Sequence, residues 1–106
     1  MDLALKAIAE PRRRAILRLV RDGELSSGEI AKHFDVTGPA ISQHLGVLKE
    51  AGLVEERREG TRRLYLARRE GIDDLRRFFE DFWDDRLDRL RDAAEQAQRD
   101  KEQGDT

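Results

Sequence analysis

Two groups of side chains in this 106-residue sequence have the chemistry to bind a nucleic acid. Ser42 and Gln43 are neighbours on a predicted helix, and short polar side chains of this kind can hydrogen-bond to base edges. Arginines crowd a predicted hairpin further along, at Arg57, Arg58, Arg62 and Arg63. Guanidinium groups bind phosphate well, so the two groups together could read bases and hold a DNA backbone.

Two helical patterns joined by a tight turn, over residues 26–51, must position the first group. Ser26 and Glu29 have the spacing of a capping box, which predicts that a helix begins there. Thr37 is the predicted N-cap of the next helix, and Pro39 falls in its first turn, where no preceding carbonyl needs an N–H. The pair is a predicted helix-turn-helix, a motif whose second helix enters the major groove of DNA.

The second predicted helix, which ends at Gly52, has one apolar and one polar side. Ile41, Leu45 and Leu48 recur at intervals of four and three, so they face the core. The opposite side carries Pro39, Ser42, Gln43 and Gly46. Exposed helices generally have a polar side, so this pattern alone leaves both base contact and simple solvation open.

A predicted β-hairpin follows directly, with strands over residues 53–58 and 61–66 joined at Glu59 and Gly60. Successive strand residues point to opposite faces, so some of its arginines can reach a phosphate backbone. A charged hairpin can also simply protect a sheet edge from aggregation. A helix-turn-helix followed by a basic hairpin over residues 53–66 predicts a winged helix, a mostly α fold with a small β wing.

Composition limits the other classes of protein to which the chain could belong. It has no cysteine, which excludes disulfides and thiolate metal sites, and its length fits one domain. No segment has the pattern of a signal peptide, and no apolar stretch approaches the ~20 residues that cross a membrane. The sequence therefore predicts a cytoplasmic protein without a membrane partner. A single Tyr, two isolated His and no Gly-rich phosphate loop argue against an enzyme.

The formal net charge of −2 is unevenly distributed along the chain. Residues 1–66 carry 12 Lys or Arg against 10 Asp or Glu, a net of +2, whereas residues 67–106 carry 9 against 13, a net of −4. Phosphate binding depends on a local basic patch, so the acidic tail does not exclude double-stranded DNA as a partner. The patch is modest, which predicts site-dependent and salt-sensitive binding.

A long helix over about residues 70–99 is predicted in the tail, because that stretch lacks proline. Its apolar residues recur at steps of seven and four, which keeps one stripe on the same side of a nearly straight helix. The stripe includes Ile72, Leu75, Phe79, Phe82, Trp83, Leu87 and Leu90. One small domain has too little surface to cover it, so we expect a dimer interface. Residues 100–106 are polar and charged, and they are predicted to be disordered.

With these residues in view, the chain resembles the ArsR-type winged helix-turn-helix transcriptional repressors of bacteria and archaea. The resemblance covers residues 3–95 and rests on the segments LKAIAEPRRRAILRLV, GEIAKHFDVTGPAISQHLGVLKEAGLVEERREG and RRLYL. It implies one winged domain over residues 1–95 and a homodimer built from the first and last helices, which adds Leu3 and Ile8 to the interface. It also implies repression through a partly palindromic operator, with one recognition helix in each half-site.

In the arrangement that the resemblance implies, Ser42 and Gln43 read bases. Contacts to the DNA backbone, or support for them, would come from Thr37, Gly38, Lys49 and the hairpin arginines Arg57, Arg58, Arg62 and Arg63. His44 matches a position where the family often keeps His, which implies either a phosphate contact or a packing bond. The effector ligand stays unidentified.

Several positions depart from the family pattern. Metal-sensing members carry a cysteine pair where this chain has Ser26 and Gly28, neither of which binds a soft metal ion. The tail has no His, and its run of acidic residues is typical of a solvated helix face, so we expect no metal site and no cofactor. Glu10 stands where the family has an Asp N-cap, which predicts a frayed helix start. Gly46 stands where relatives often carry a basic residue.

Two other interpretations stay open. The winged helix could serve protein–protein interaction, with the apolar tail stripe bound to a different chain, and the acidic balance favours this. A metal or small-molecule sensor with a non-thiolate site at the dimer interface is the other alternative, although no residue pair marks such a site.

Overall fold

The computed structural model describes residues 1–104 as a mostly helical chain with a small antiparallel sheet. In chain order the elements are α1 (Asp2–Ile8), α2 (Pro11–Val20), β1 (Leu25–Ser26), α3 (Ser27–Ala31), α4 (Gly38–Glu50), β2 (Val54–Glu59), β3 (Arg62–Ala67) and α5 (Arg69–Gly104). By its contacts the chain divides into two compact units, Met1–Leu75 and the stretch from Arg76 onward. These elements confirm the predicted fold class, a helix-turn-helix (α3 and α4) with a β wing (β2 and β3) and a long C-terminal helix.

The first unit is built around a core that both helices of the helix-turn-helix share. Ile41, Leu45 and Leu48 of α4 are buried, as their spacing predicts, and they belong to the same core as Ile30 of α3. Leu53, at the corner between α4 and β2, is also fully buried. Burying one such side chain contributes about 1.5–3 kcal/mol, which holds the opposite side of α4 toward solvent.

Side chains tie together the corner between α1 and α2. Arg13 donates from Nε to the Ala7 carbonyl at 2.7 Å. Arg14 donates from Nη1 to the Ile8 carbonyl, also at 2.7 Å. Glu10, the N-cap of α2, accepts from the Arg13 backbone N–H at 3.0 Å. The expectation of a frayed start is therefore wrong, because extended backbone at Glu10 lets its longer side chain reach back to the first turn.

The sheet has three antiparallel strands in the order β1-β3-β2. Strand β1, which the sequence analysis does not predict, pairs Leu25 with Tyr65. The hairpin strands begin and end one residue later than predicted, because the two residues of the loop are Gly60 and Thr61. Gly60 has φ +63 at the first loop position, as in the type II′ turns that suit the twist of paired strands.

The first two turns of α5 pack into the first unit. Gly71 lies against the corner between α4 and β2, where a Cβ would overlap the Gly52 carbonyl, so only glycine fits. Leu75 is 7% exposed, and Ile72 is half-buried against the same core. The prediction of a dimer contact is therefore wrong for Leu75, because its own chain already covers it. Ile72 keeps only part of its surface for any partner.

From Arg76 onward, α5 leaves its apolar stripe exposed. Phe82 is 60% exposed and Trp83 is 54% exposed. Phe79 packs edge to face with Phe78, with ring centroids 5.4 Å apart. These side chains contact one another along the helix and still present a large apolar face to solvent.

The C-terminal helix continues to Gly104, beyond the predicted end near residue 99. Side-chain bonds four residues apart support the added turn. Gln96 donates to Asp100 at 3.0 Å and Gln98 donates to Glu102 at 3.2 Å. The predicted disorder is therefore wrong for residues 100–104, and positions 105 and 106 lie outside the described residues. Among residues 1–104, no helix has the length and apolar character that crossing a bilayer requires.

Candidate nucleic-acid interface

Local caps fix the two helices of the helix-turn-helix. The Thr37 hydroxyl accepts from the Ala40 N–H at 3.2 Å, as the N-cap prediction requires. At the start of α3, the Glu29 N–H donates to Ser26 Oγ and the Ser26 N–H donates to Glu29 Oε1, both at 3.1 Å. The predicted capping box is confirmed. A cap of this kind contributes about 1 kcal/mol, so the sequence specifies locally where each helix begins.

The outer face of α4 is the surface best suited to base edges. Ser42 and Gln43 are exposed, and within residues 1–104 neither side chain has a hydrogen-bond partner. A Cβ at Gly46 would meet nothing within 4 Å, so the face is open there. Gly38 and Pro39 are also exposed, at the N-terminal end of the helix. Pro39, Ser42, Gln43 and Gly46 lie where the helical period predicts, and the contact of all five positions with DNA stays a prediction.

His44 lies beside the α1–α2 corner, apart from the outer face of α4. Its side chain is 18% exposed, with Nδ1 3.4 Å from Arg13 Nη1 and 4.0 Å from Glu10 Oε2. Burial raises the pKa of Glu10, but the backbone N–H groups of Arg13 and Arg12 and the charges of His44 and Arg13 lower it by more, so the net shift is downward. The geometry fits the packing bond, one of the two roles that the family resemblance implies for His44, and its phosphate contact stays a prediction.

Carboxylates of the same chain pair with arginines on the wing. Arg57 donates from Nε to Glu24 Oε2 at 2.9 Å, and this hydrogen bond raises the pKa of the guanidinium. Arg62 donates from Nη2 to Glu29 Oε1 at 2.6 Å. The backbone N–H and hydroxyl of Ser26, and then Arg62, lower the pKa of Glu29. The Glu29 carboxylate is therefore ionised at neutral pH, and a DNA phosphate must compete with Glu24 and Glu29 for these arginines.

A third carboxylate, Glu56 of β2, connects the wing to α4. Lys49 Nζ lies 3.0 Å from Glu56 Oε2, and Arg63 Nε lies 3.6 Å from Glu56 Oε1. The hydrogen bond from Lys49 is the largest cause of a lowered pKa at Glu56, with the charges of Lys49 and Arg63 adding to it. Arg58 is exposed and makes no ion pair with any residue in the described part of the chain. Of the predicted cations on this surface, Arg58 is the one with no carboxylate of residues 1–104 within ion-pair distance, and its charge still helps to lower the pKa of Glu56.

A polar groove runs between α4 and the wing. Its lining residues are Ser27, Ser42, Leu45, Gly46, Lys49, Glu56, Arg63 and Tyr65. The groove brings the base-reading candidate Ser42 and the cations Lys49 and Arg63 to one surface. The helix-turn-helix and the wing therefore form one continuous candidate interface.

The sequence analysis missed the three carboxylates that partner these cations. Glu56 lies two residues after buried Val54 on β2. Residues two apart on a strand point to the same face, so this spacing places Glu56 on the inward face. No comparable signal marks Glu24 or Glu29, because each pairs with an arginine 33 positions away. These ion pairs form because β1 joins the sheet beside β3. A pattern within a short stretch of sequence does not predict that pairing.

Two positions near the capping box correspond to the metal-binding cysteines of sensing relatives. Ser26 uses its hydroxyl as a cap for α3, and Gly28 is exposed. Across residues 1–104, no group of three or more His, Asp or Glu side chains is close enough together to hold a metal ion. Ser26 thus has a structural role, as the N-cap of α3.

The helix-turn-helix and the first wing strand match a known family model. Residues 10–56 match the model for bacterial regulatory proteins of the arsR family. The HTH-type transcriptional regulator Rv2034 of Mycobacterium tuberculosis is 45% identical over 82 residues, which cover 77% of this chain and 77% of that protein. The transcriptional repressor SdpR of Bacillus subtilis is 43% identical over 60 residues, covering 57% of this chain and 67% of that protein.

A solved structure extends the similarity to the fold. It is a homodimeric winged helix-turn-helix DNA-binding domain from Mycobacterium bovis, described as a possible ArsR-family transcriptional regulator. It is 36% identical, covers 78% of this chain and 77% of its own, and has a TM-score of 0.65. These relatives are transcriptional regulators, which confirms the prediction that the chain is not an enzyme. The chain belongs to the ArsR family of bacterial regulatory proteins and carries that family's DNA-binding winged helix.

Proposed function

We propose that this regulator acts in the cytoplasm as a homodimeric repressor, which covers a promoter by binding a partly palindromic operator in double-stranded DNA. The observation that carries the proposal is the outer face of α4. Ser42 and Gln43 are exposed there, and their polar atoms have no partner among residues 1–104. Gln pairs bidentately with adenine and Ser bonds to several bases, so both side chains are suited to read sequence.

The phosphate backbone would be held by groups around that face. The N-terminal end of α4 supplies Thr37 and Gly38, and its last turn supplies Lys49. The wing adds Arg58, which has no carboxylate within ion-pair distance among residues 1–104. It also adds Arg57 and Arg62, which would leave their carboxylate partners to bind phosphate. Such contacts orient the protein on DNA without reading sequence.

The dimer is proposed from the exposed stripe of α5 beyond residue 75. Its large apolar side chains are each about half exposed or more, namely Phe79, Phe82, Trp83, Leu87 and Leu90. A contiguous apolar patch on this scale is typical of an interaction surface. The M. bovis relative is described as a homodimer, which supports a second copy of the chain as the partner. Two recognition helices would then meet half-sites about 34–36 Å apart, or a multiple of that distance.

Repression follows if the bound dimer lies over sequences that transcription needs. SdpR, which is 43% identical to this chain over 60 residues, is described as a repressor, and this supports the same sign of regulation here. Release by an effector would require a ligand site, and we propose none.

A gel-shift series with two alanine variants tests base reading against backbone binding. Gln43→Ala should cost about 1–3 kcal/mol at the cognate site and relax base preference, because it removes a base contact. Arg62→Ala should weaken all sequences alike and flatten the salt slope by roughly one, because it removes a phosphate contact. Arg99→Ala, on the exposed C-terminal part of α5, is the control and should change neither quantity. The assignment fails if Arg62→Ala alters sequence preference while Gln43→Ala does not.

A further inference from the structure

We propose that Glu56 is a specificity-determining residue, which holds Lys49 and Arg63 so that they bind phosphate only when DNA is seated against the recognition helix. The inference rests on the proposed DNA-binding function. It concerns how the same surface distinguishes its cognate site from random DNA.

The first support is that one carboxylate joins two elements of the interface. Glu56 Oε2 lies 3.0 Å from Lys49 Nζ on α4, and Oε1 lies 3.6 Å from Arg63 Nε on β3. Each oxygen thus has its own cation. The two cations are held at the groove that also contains Ser42.

The second support is the difference in exposure within the trio. The Glu56 side chain is 16% exposed, whereas those of Lys49 and Arg63 are 56% and 54% exposed. The carboxylate is therefore recessed behind the cations, and it remains there when a phosphate approaches them. Its lowered pKa means that it keeps its negative charge at neutral pH.

Binding to random DNA and binding to the cognate site use these cations differently. Random binding depends almost wholly on phosphate contacts, and cations that can swing freely toward any phosphate favour it. Tied to Glu56, the two cations keep one geometry relative to the groove, and the carboxylate offsets part of their attraction for phosphate. In the cognate complex, bases lie against Ser42 and Gln43, and the phosphates then lie where Lys49 and Arg63 are held. Holding these cations on Glu56 therefore weakens binding to the cognate site less than binding to random DNA.

The test compares Glu56→Gln with Glu55→Gln in the full-length protein. Both variants remove one negative charge from β2. Glu55, however, is exposed on the opposite face of the strand and makes no ion pair with a Lys or Arg among residues 1–104. The probes are a duplex recovered from a random-sequence pool by the wild-type protein and the same duplex with scrambled half-sites. Dissociation constants are measured for both at several salt concentrations.

Glu56→Gln should tighten binding to the scrambled duplex by about three- to tenfold and steepen its salt slope by about one, as for one further phosphate contact. Binding to the selected duplex should change less than twofold, so the specificity ratio falls. Glu55→Gln should leave the ratio unchanged. Adding Lys49→Gln to Glu56→Gln should remove most of the gain on scrambled DNA, and thermal melts of all variants confirm that they are folded.

Three results would overturn the inference: an equal gain on both duplexes, the same ratio change in Glu55→Gln, or a loss restricted to the selected duplex. These outcomes leave the proposed function intact, because the wild-type protein would still prefer its site. If the wild-type protein recovers no preferred sequence from the pool, the proposed function fails instead.

Discussion

Leu48 and Trp83 are both large apolar side chains on helices of this chain, yet Leu48 is fully buried and Trp83 is 54% exposed. Leu48 belongs to a core that draws on every helix of the first unit and on the sheet. Trp83 lies in a stretch of helix whose described contacts are with its own neighbours, such as Arg86 at 5.8 Å from the ring. The first unit covers most of its large apolar side chains within one chain, with Leu3 of α1 left 56% exposed, whereas the second unit leaves them available to a partner.

This difference separates two requirements of a DNA-reading protein. Presenting one recognition helix needs only a stable platform, and residues 1–75 supply it with buried side chains and caps. Reading two half-sites needs a second platform at a fixed distance, which the first unit does not contain. Under the proposed function, base reading belongs to the first unit and most of the proposed dimer interface to the second, with Leu3 and Ile8 of α1 as its predicted part in the first unit, so each role can be tested separately.

The largest expected effect is the loss of dimerisation through the second unit. Phe79→Ala combined with Trp83→Ala removes two aromatic side chains from the stripe, and aromatic anchors dominate interface energies. We expect a monomer at micromolar concentration by sedimentation. Operator affinity should fall about a hundredfold or more, because the second half-site no longer binds intramolecularly.

Asp81→Ala combined with Asp85→Ala is the matched control, since these residues share the spacing but lie on the polar side of the same turns. This control should stay dimeric and bind normally. A Phe79/Trp83 variant that remained dimeric would place the dimer interface elsewhere.

The next largest effect contrasts a core residue with a stripe residue of the same type. Leu48→Ala should lower the free energy of unfolding by about 2–5 kcal/mol at any protein concentration, because it leaves a cavity in the core. Leu90→Ala, at a position 57% exposed, should lower the melting temperature mainly at low concentration, as loss of a subunit contact does. Thermal melts over a hundredfold concentration range measure both. Equal, concentration-independent losses would contradict the division into two units.

The smallest effect concerns a charge within the first unit. The pKa of Glu29 is lowered by its bonds with Ser26 and then by Arg62, so its ionised form stabilises the fold. That contribution is fully present above the ordinary Glu pKa of about 4.3 and is lost as pH falls through the lower folded value. Glu29→Gln should therefore be less stable than the wild type at pH 7, with the gap closing toward pH 3. Urea unfolding at each pH measures it, and Glu55→Gln should follow the wild-type curve throughout.

Local patterns predicted the parts of the fold that local chemistry determines. The capping box at Ser26, the N-cap at Thr37 and the buried spacing of Ile41, Leu45 and Leu48 each depend on residues three or four positions apart. The exposed positions Ser42 and Gln43 follow from the same period. For these residues the sequence carries the relevant physical interaction within one or two helical turns.

The parts that the sequence analysis missed depend on contacts between distant segments. Strand β1 forms because Leu25 meets Tyr65 across the sheet, and Leu75 is buried because α5 begins against the core. The partnership of Glu56 with Lys49 and Arg63 joins three elements. The two-residue spacing from buried Val54 marks Glu56 as inward-facing, but no short-range pattern identifies its partners, so this part of the interface required the three-dimensional structure.

Gly71 has a consequence for how proteins with this architecture can diversify. Its missing side chain lets α5 begin against the Gly52 carbonyl, at the end of the recognition helix, so the position is closed to every residue with a Cβ. The apolar stripe of α5 from Phe79 to Leu90 is exposed, so substitutions there leave the core of the first unit in place. Descendants of this sequence can therefore repattern the later helix and so acquire new partners. The corner that supports the recognition helix would be inherited unchanged.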